Sequence, residues 1–233
     1  MTLEQPIAAT TSGPVRGVVQ GAVAAFRGIP YAASPVGDLR FAPPQPHTSW
    51  NQLREAVHAG PSVPQGPSRL ELVMGSRTAR WDEDESLTVN VWSPSDFAGE
   101  RSALPVLVWF HGGGFSSGSG GWDWYDGARL AELGNIVVVT ANYRLGALGN
   151  LWCPEICAEN LGTQDQIAVL RWVRENIAAF GGDSQAVTVG GQSAGAFAAF
   201  QLALNPESAH MIRRVIAQSN PWVARCTRSD TRC

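Results

Sequence analysis

Histidine and cysteine are scarce in this sequence, charge is sparse, and no apolar run is long. The 233 residues hold four histidines (His47, His58, His111, His210) and four cysteines (Cys153, Cys157, Cys226, Cys233). Cys153 and Cys157 have a spacing that zinc sites use, but such a site needs two further ligands. No His or Cys follows at a suitable interval, so this pair reads as ordinary reduced thiols. Neither a metal nor a cofactor is expected. Charged residues make up 16% of the chain and the net charge is −3. That lacks the concentrated basic face that nucleic acid or an anionic membrane demands of a partner. No stretch approaches the ~20 apolar residues of a membrane helix. Residues 1–6 lack the basic start and apolar stretch of a secretory signal, so a cytoplasmic location is expected.

What is present is a hydrophobic fraction of 44%, enough for one sizeable folded α/β domain. The first hundred residues are rich in Gly and Pro, with short β-type runs at 14–19 and 87–92, and read as small strands and loops. The pattern then changes. Pro105-Val106-Leu107-Val108-Trp109-Phe110 is a continuous apolar run, as a buried parallel strand would be. Residues 135–140, 186–190 and 214–218 are three more. Between 165 and 180, Ile167, Leu170, Val173, Ile177 and Phe180 recur at three- and four-residue intervals, which predicts a helix with one apolar face ending at Gly181-Gly182. Residues 194–204 predict a second helix, stopped before Asn205-Pro206. Strand and helix alternate, so a parallel sheet follows, with reactive groups gathered at the carboxyl ends of its strands.

Two strand ends carry unusual residues. Gly191-Gln192-Ser193-Ala194-Gly195 is a G-x-S-x-G pentapeptide between strand and helix. A turn that tight leaves no room for side chains beside the central residue, so glycines flank it and the serine stands exposed and strained. The helix beginning at Ala194 points free N–H groups and its positive dipole end toward whatever Ser193 attacks. His111-Gly112-Gly113-Gly114-Phe115 follows the 105–110 strand. There the glycines let backbone N–H donors approach a bound acyl group. Such donors are worth ~3 kcal/mol each toward the charged oxygen of a tetrahedral intermediate. Gly113 and Gly114 N–H, with Ala194 N–H, would form the oxyanion hole. Either motif alone is a weak signal. Both together, each after an apolar strand, point to acyl transfer with Ser193 as nucleophile.

The ordered segments Phe26-Arg27-Gly28-Ile29-Pro30-Tyr31-Ala32, Leu39-Arg40-Phe41, Glu85-Ser86-Leu87-Thr88-Val89-Asn90-Val91-Trp92, Asp165-Gln166, Leu170-Arg171-Trp172-Val173 and 176–183 join these two motifs. The chain thereby resembles the N-terminal portion of the type-B carboxylesterases, the group of cholinesterases and bacterial para-nitrobenzyl esterases. The resemblance implies an α/β-hydrolase fold, here cut off after the strand that follows the nucleophile helix. It also implies hydrolysis of small-molecule carboxylic esters through an acyl-enzyme.

Departures from the family pattern qualify this. Ser86 and Val63 stand where the resemblance implies a pair of bonded cysteines, which suits a reducing compartment. Gln192 replaces the usual Glu, removing a carboxylate beside the site while keeping hydrogen-bonding capacity. Ala196 replaces a Gly. The family's triad acid and histidine lie well over a hundred residues downstream, whereas this chain ends 40 residues after Ser193. Neither is present. His210 lies roughly 16 Å along a helix from the serine, His111 is structural in relatives, and His47 and His58 read as solvated. Residues 222–233, with Arg225, Arg228, Arg232 and two cysteines, lack apolar periodicity and read as a non-family tail after a domain of residues 1–221, as a shifted reading frame would give. Trp122 and Trp124 are candidates either to line a substrate pocket or to pack the loop. Little or no turnover is expected, with a non-catalytic remnant or binding module as the alternative. The 214–218 strand is expected to be an exposed apolar edge and to limit solubility. The oligomeric state is not legible.

Overall fold

The computed structural model describes residues 5–69, 71–75, 80–95, 103–155 and 158–221. Cys157 and the 222–233 tail, with Cys226 and Cys233, lie outside the described residues. A small sheet joins β1 (Ile7–Ala9), β2 (Pro14–Arg16) and β5 (Arg54–Glu55). A larger one contains β3 (Val18–Gln20), β4 (Val23–Pro30), β6 (Thr88–Pro94), β7 (Leu104–Phe110), β8 (Val137–Ala141), β9 (Gly182–Gln192) and β10 (Arg214–Gln218). Its order is β10-β9-β7-β8-β6-β4-β3. Helices are α1 (Glu71–Met74), α2 (Ala128–Gly134), α3 (Gly146–Asn150), α4 (Leu161–Asn176) and α5 (Ala194–Leu204). This is the α/β-hydrolase architecture.

The sheet is mixed rather than wholly parallel. β10, β9, β7 and β8 run parallel, and β8, β6, β4 and β3 pair antiparallel. The small N-terminal strands expected from the Gly- and Pro-rich composition are thus in part long members of the main sheet. Every residue of β6 is buried, so the polar and apolar alternation of Thr88-Val89-Asn90-Val91 marks no solvent face and does not reveal which sheet it joins. The predicted helix at 165–180 is α4 followed by a 3-10 turn at Ile177–Phe180. Gly181 then takes φ 78°, the left-handed close foreseen from its sequence. The 186–190 run is the central part of β9, which extends it at both ends. β10 and α5 match their predicted bounds. Every residue of β10 is exposed, with Val215 at 37% and Ile216 at 42%.

The core is apolar between sheet and helices: Phe26, Val108, Phe110, Leu170, Val173, Phe180, Val189 and Leu202 belong to one cluster. Among the described residues, one charged pair lies inside it. Arg144, in the loop after β8, donates from Nε and Nη2 to the two carboxylate oxygens of Asp165 on α4, at 2.9 and 2.7 Å. Its backbone N–H reaches the same carboxylate at 2.9 Å. Nη1 donates to the carbonyls of Arg40 and Ala42, at 3.1 and 2.8 Å. Both side chains are buried, so the donors and acceptors left after ion pairing must find partners, and they do. The pair therefore ties an N-terminal loop to β8 and α4.

Removing one partner leaves the other charge buried and alone. Arg144→Met is expected to lower stability by about 3–5 kcal/mol, read from the urea midpoint. A loss under about 1 kcal/mol would show that the pair does not hold these elements together.

Candidate active site

The site sits where β7 and β9 end side by side. Their parallel register sets Trp109 beside Gly190 and Phe110 beside Gly191. The two unusual loops therefore leave the sheet at one level. A Cβ on Gly112 would lie 2.6 Å from Gln192 Oε1 and 3.4 Å from Ser193 Cβ. One on Gly191 would lie 2.3 Å from the Gly195 carbonyl carbon, and one on Gly195 would lie 2.0 Å from the Phe110 carbonyl oxygen. Real Cβ atoms do not approach so closely. The pentapeptide's outer glycines are therefore required by packing as well as by the turn.

Ser193 takes φ 54° and ψ −117°, a conformation that costs a non-glycine residue about 1–3 kcal/mol. Its backbone is held on both sides. Ser193 N–H donates to Gln218 C=O on β10 at 2.9 Å, and Phe197 N–H donates to Ser193 C=O at 3.0 Å. Among the described residues Ser193 Oγ has no hydrogen-bond partner.

The glycine loop is oriented by its own carbonyls. A trans peptide places C=O and N–H on opposite sides, and the described residues contain no cis bond. Gly112 C=O accepts from His111 Nδ1 at 2.8 Å, so Gly113 N–H points away from that ring. Gly113 C=O accepts the N–H groups of Ser116 and Ser117, each at 3.2 Å, and both hydroxyls as well, at 3.1 and 3.3 Å. Gly114 N–H is thereby turned outward. Neither glycine N–H donates to a carbonyl of the described residues. Ala194, first in α5, has no carbonyl one turn back to receive its own N–H. Three donors are left with acceptor positions open, an arrangement suited to an oxygen that gains negative charge.

His111 is no free base. It is buried, its ring stacks on Tyr143 at 4.5 Å, and Tyr125 lies at 6.3 Å. A carbonyl can only accept, so Nδ1 carries the proton in its bond to Gly112. Nε2 is buried with no partner among the described residues. Burial pushes the imidazole pKa down to about 4, against a small opposing pull from the Gly112 carbonyl. His210 is exposed in a 3-10 turn at Ala209–Met211, beyond the far end of α5. His58 is exposed, as expected. His47 departs from expectation: it is half-buried edge-on to Trp50 at 5.4 Å.

Trp122 precedes a 3-10 turn at Asp123–Tyr125 and Trp124 lies within it, and their rings meet edge to face at 4.8 Å. Trp122 lines a cleft of about 250 Å³ shared with Arg27, His58, Trp92 and Asp126. Tyr125, directly after Trp124, was not singled out by sequence. Burial raises its pKa, while a hydrogen bond from the Gly112 backbone opposes the shift. Phe115 was also missed. It has φ 58°, and its ring meets Phe197 of α5 edge to face at 6.0 Å. No sequence signal pairs these two, because their contact depends on the β7–β9 register. Ser86 and Val63 are both buried, and Ser86 Oγ donates to Glu83 C=O at 2.9 Å.

The sequence matches the profile described as "Carboxylesterase family" over residues 4–231. It is 42% identical to the para-nitrobenzyl esterase of Bacillus subtilis (strain 168), covering 91% of this chain and 43% of that protein. It is 41% identical to the phenmedipham hydrolase of Pseudarthrobacter oxydans, over 94% of this chain and 44% of that protein. A solved thermophilic pNB esterase superposes with a TM-score of 0.86 at 41% identity, covering 93% of this chain and 44% of that one. The chain thus spans under half the length of the relatives it matches. No helix among the described residues is long and apolar enough to cross a membrane.

Two measurements follow from this geometry. The folded-state pKa of His111, about 4, lies below its ordinary 6.5. The unfolded chain therefore takes up the proton first. This contribution to stability is present above pH ~6.5 and is lost as pH falls toward ~4, at up to ~1.4 kcal/mol per pH unit. Urea midpoints across that window are expected to fall less steeply for His111→Asn, whose amide can still donate to Gly112, than for the parent. Equal slopes would mean that His111 is not held neutral. Gly195→Ala is expected to cost about 3 kcal/mol or more through overpacking against Phe110. A thermal midpoint within a degree of the parent would contradict that.

Proposed function

We propose that this chain, which belongs to the carboxylesterase family, carries the acyl-accepting part of an ester hydrolase. Ser193 is the nucleophile, and the N–H groups of Gly113, Gly114 and Ala194 form the oxyanion hole. The observation that carries the reading is the convergence of Ser193 with the glycine loop at the ends of β7 and β9, where the loop's free N–H groups face away from His111 and from the Ser116–Ser117 turn. In the reaction, Ser193 Oγ bonds to the carbonyl carbon of a small-molecule carboxylic ester. The carbonyl oxygen takes the charge against the three donors, the bond to the alcohol oxygen breaks, and the alcohol leaves with the serine's proton. Water then releases the acid by the same steps in reverse order of partners.

Proton transfer limits the rate. None of His47, His58, His111 and His210 is bonded to Ser193 Oγ, so the described residues present no general base to it. On this reading Gln192, uncharged where the family pattern has Glu, leaves no carboxylate beside the serine to repel an acyl anion or attract a cationic alcohol. Trp122, which lines the cleft of about 250 Å³, is the better placed of the two tryptophans to meet a substrate, with Trp124 packed edge to face against it. A cytoplasmic setting fits Ser86 and Val63 in place of a cysteine pair. The second reading, a binding module on the esterase fold, draws on one observation, the unpartnered Ser193 hydroxyl.

A fluorophosphonate probe separates the two. Ser193 Oγ is expected to displace fluoride from phosphorus and become labelled, and Ser193→Ala to abolish the label. With para-nitrophenyl acetate, turnover by the 233-residue chain is expected at no more than the roughly 10³–10⁴-fold acceleration over water that donors and binding supply without a base. No Ser193-dependent label would favour the binding module. Turnover at an ordinary esterase rate would show that a base is present after all.

A further inference from the structure

We propose that Phe197 is a positioning residue that fixes the glycine loop relative to Ser193. The proposal rests on the reading of that loop as the oxyanion hole, and its structural half can be tested without catalysis.

Phe197 meets both halves of the site. Its backbone N–H donates to Ser193 C=O at 3.0 Å, so its place on α5 is fixed by the nucleophile's own peptide. Its ring contacts Phe115 edge to face, with centroids 6.0 Å apart and planes at 80°. That geometry sets the positive ring edge of one aromatic against the negative face of the other. The one residue thereby spans the gap between nucleophile and donor loop.

The loop requires such a restraint. Gly113, Gly114 and Phe115 have φ of 117°, 64° and 58° in succession. For the two glycines this costs little. For Phe115 a left-handed backbone costs about 1–2 kcal/mol and persists only where its surroundings over-determine it. Its carbonyl accepts Gly146 N–H at 2.7 Å and Asn150 Nδ2 at 3.4 Å. Those bonds hold the backbone on one side. The Phe115 side chain packs against the main core cluster, and the Phe197 ring meets it edge to face from α5. If Phe115 relaxes to negative φ, the peptide between Gly114 and Phe115 turns, and the Gly114 N–H direction turns with it.

Phe197 can also be removed without emptying the core. It is half-buried, and it lines an open groove of about 890 Å³ with Ile167, Arg171, Gln201 and Leu204. Truncation widens that groove and leaves no closed cavity, so the fold survives the substitution. Phe197→Ala and the ring-retaining Phe197→Tyr form the test pair.

Residue-resolved amide exchange provides the first readout. The N–H groups of Ser116 and Ser117, bonded to Gly113, and of Gly146, bonded to Phe115, report on the loop. In Phe197→Ala they are expected to exchange about tenfold faster, with β7 and β9 amides unchanged, and Phe197→Tyr is expected to restore them. The rate of Ser193 phosphonylation is the second readout, expected to fall about tenfold in Phe197→Ala and to recover in Phe197→Tyr. Unchanged loop exchange overturns the proposal whatever labelling does. So does equal loss of protection in the loop and in β7 and β9, which would mark Phe197 as a general packing residue. If the parent chain shows no Ser193 labelling while the loop exchange behaves as expected, the esterase reading fails and the positioning role stands.

Discussion

The site depends on how closely two backbones approach at the ends of β7 and β9. Gly195 presses against the Phe110 carbonyl so tightly that its added Cβ would sit 2.0 Å from the oxygen, and Gly112 is comparably confined against Gln192. No side chain fits between these segments. Consequently the strand-to-helix turn bearing Ser193 and the loop bearing Gly113 and Gly114 share one rigid wall. The distance between Ser193 and the glycine loop is set by main-chain contact, which varies far less than contact through long side chains. The parallel register of β7 and β9 supplies that wall, and the remainder of the sheet maintains the register.

Polar groups inside the molecule do the corresponding work farther out. Arg144 and Asp165 fasten the loop after β8 to α4 and to the chain near Arg40. Asn142, two residues earlier, accepts from Ser119 Oγ and Gly120 N–H and donates to Pro61 and Ser86 carbonyls, all within 3.1 Å. It therefore pins the stretch after the glycine loop against the N-terminal segments. Tyr143, between the two, donates to the His111 carbonyl at 2.7 Å. Three consecutive residues thus anchor three different parts of the site's surroundings. Such fully satisfied networks favour a single arrangement of the loops over many similar ones.

Features whose cause is local were legible in the sequence. The glycines of the pentapeptide and of the loop, the bounds of α5 and the left-handed close at Gly181 each follow from what one residue type permits in one turn. Apolar runs gave β7 and β9 because a strand buried between layers needs no alternation, and a short apolar run also marked β10, although its residues are exposed. Features that arise from pairing across the fold were hidden. β6 is as apolar in its surroundings as β8, so nothing in its residues announces an antiparallel place in the main sheet. The start of α4 at Leu161 follows Asn160 in a left-handed conformation (φ 54°), where the apolar repeat gave no start signal. The tautomer of His111 and the meeting of Phe115 with Phe197 both require the register before they can be seen.

The bond from Ser193 N–H to the Gln218 carbonyl couples the strained serine to the outermost strand of the described sheet. A strand paired on one side only opens locally more readily than a central one. Each ~1.4 kcal/mol of opening cost changes the open fraction tenfold. When β10 frays, the strained serine loses the restraint on its amide and can relax. Within the described residues, the share of molecules that keep the strained Ser193 backbone is therefore a thermal population tied to the pairing of β10.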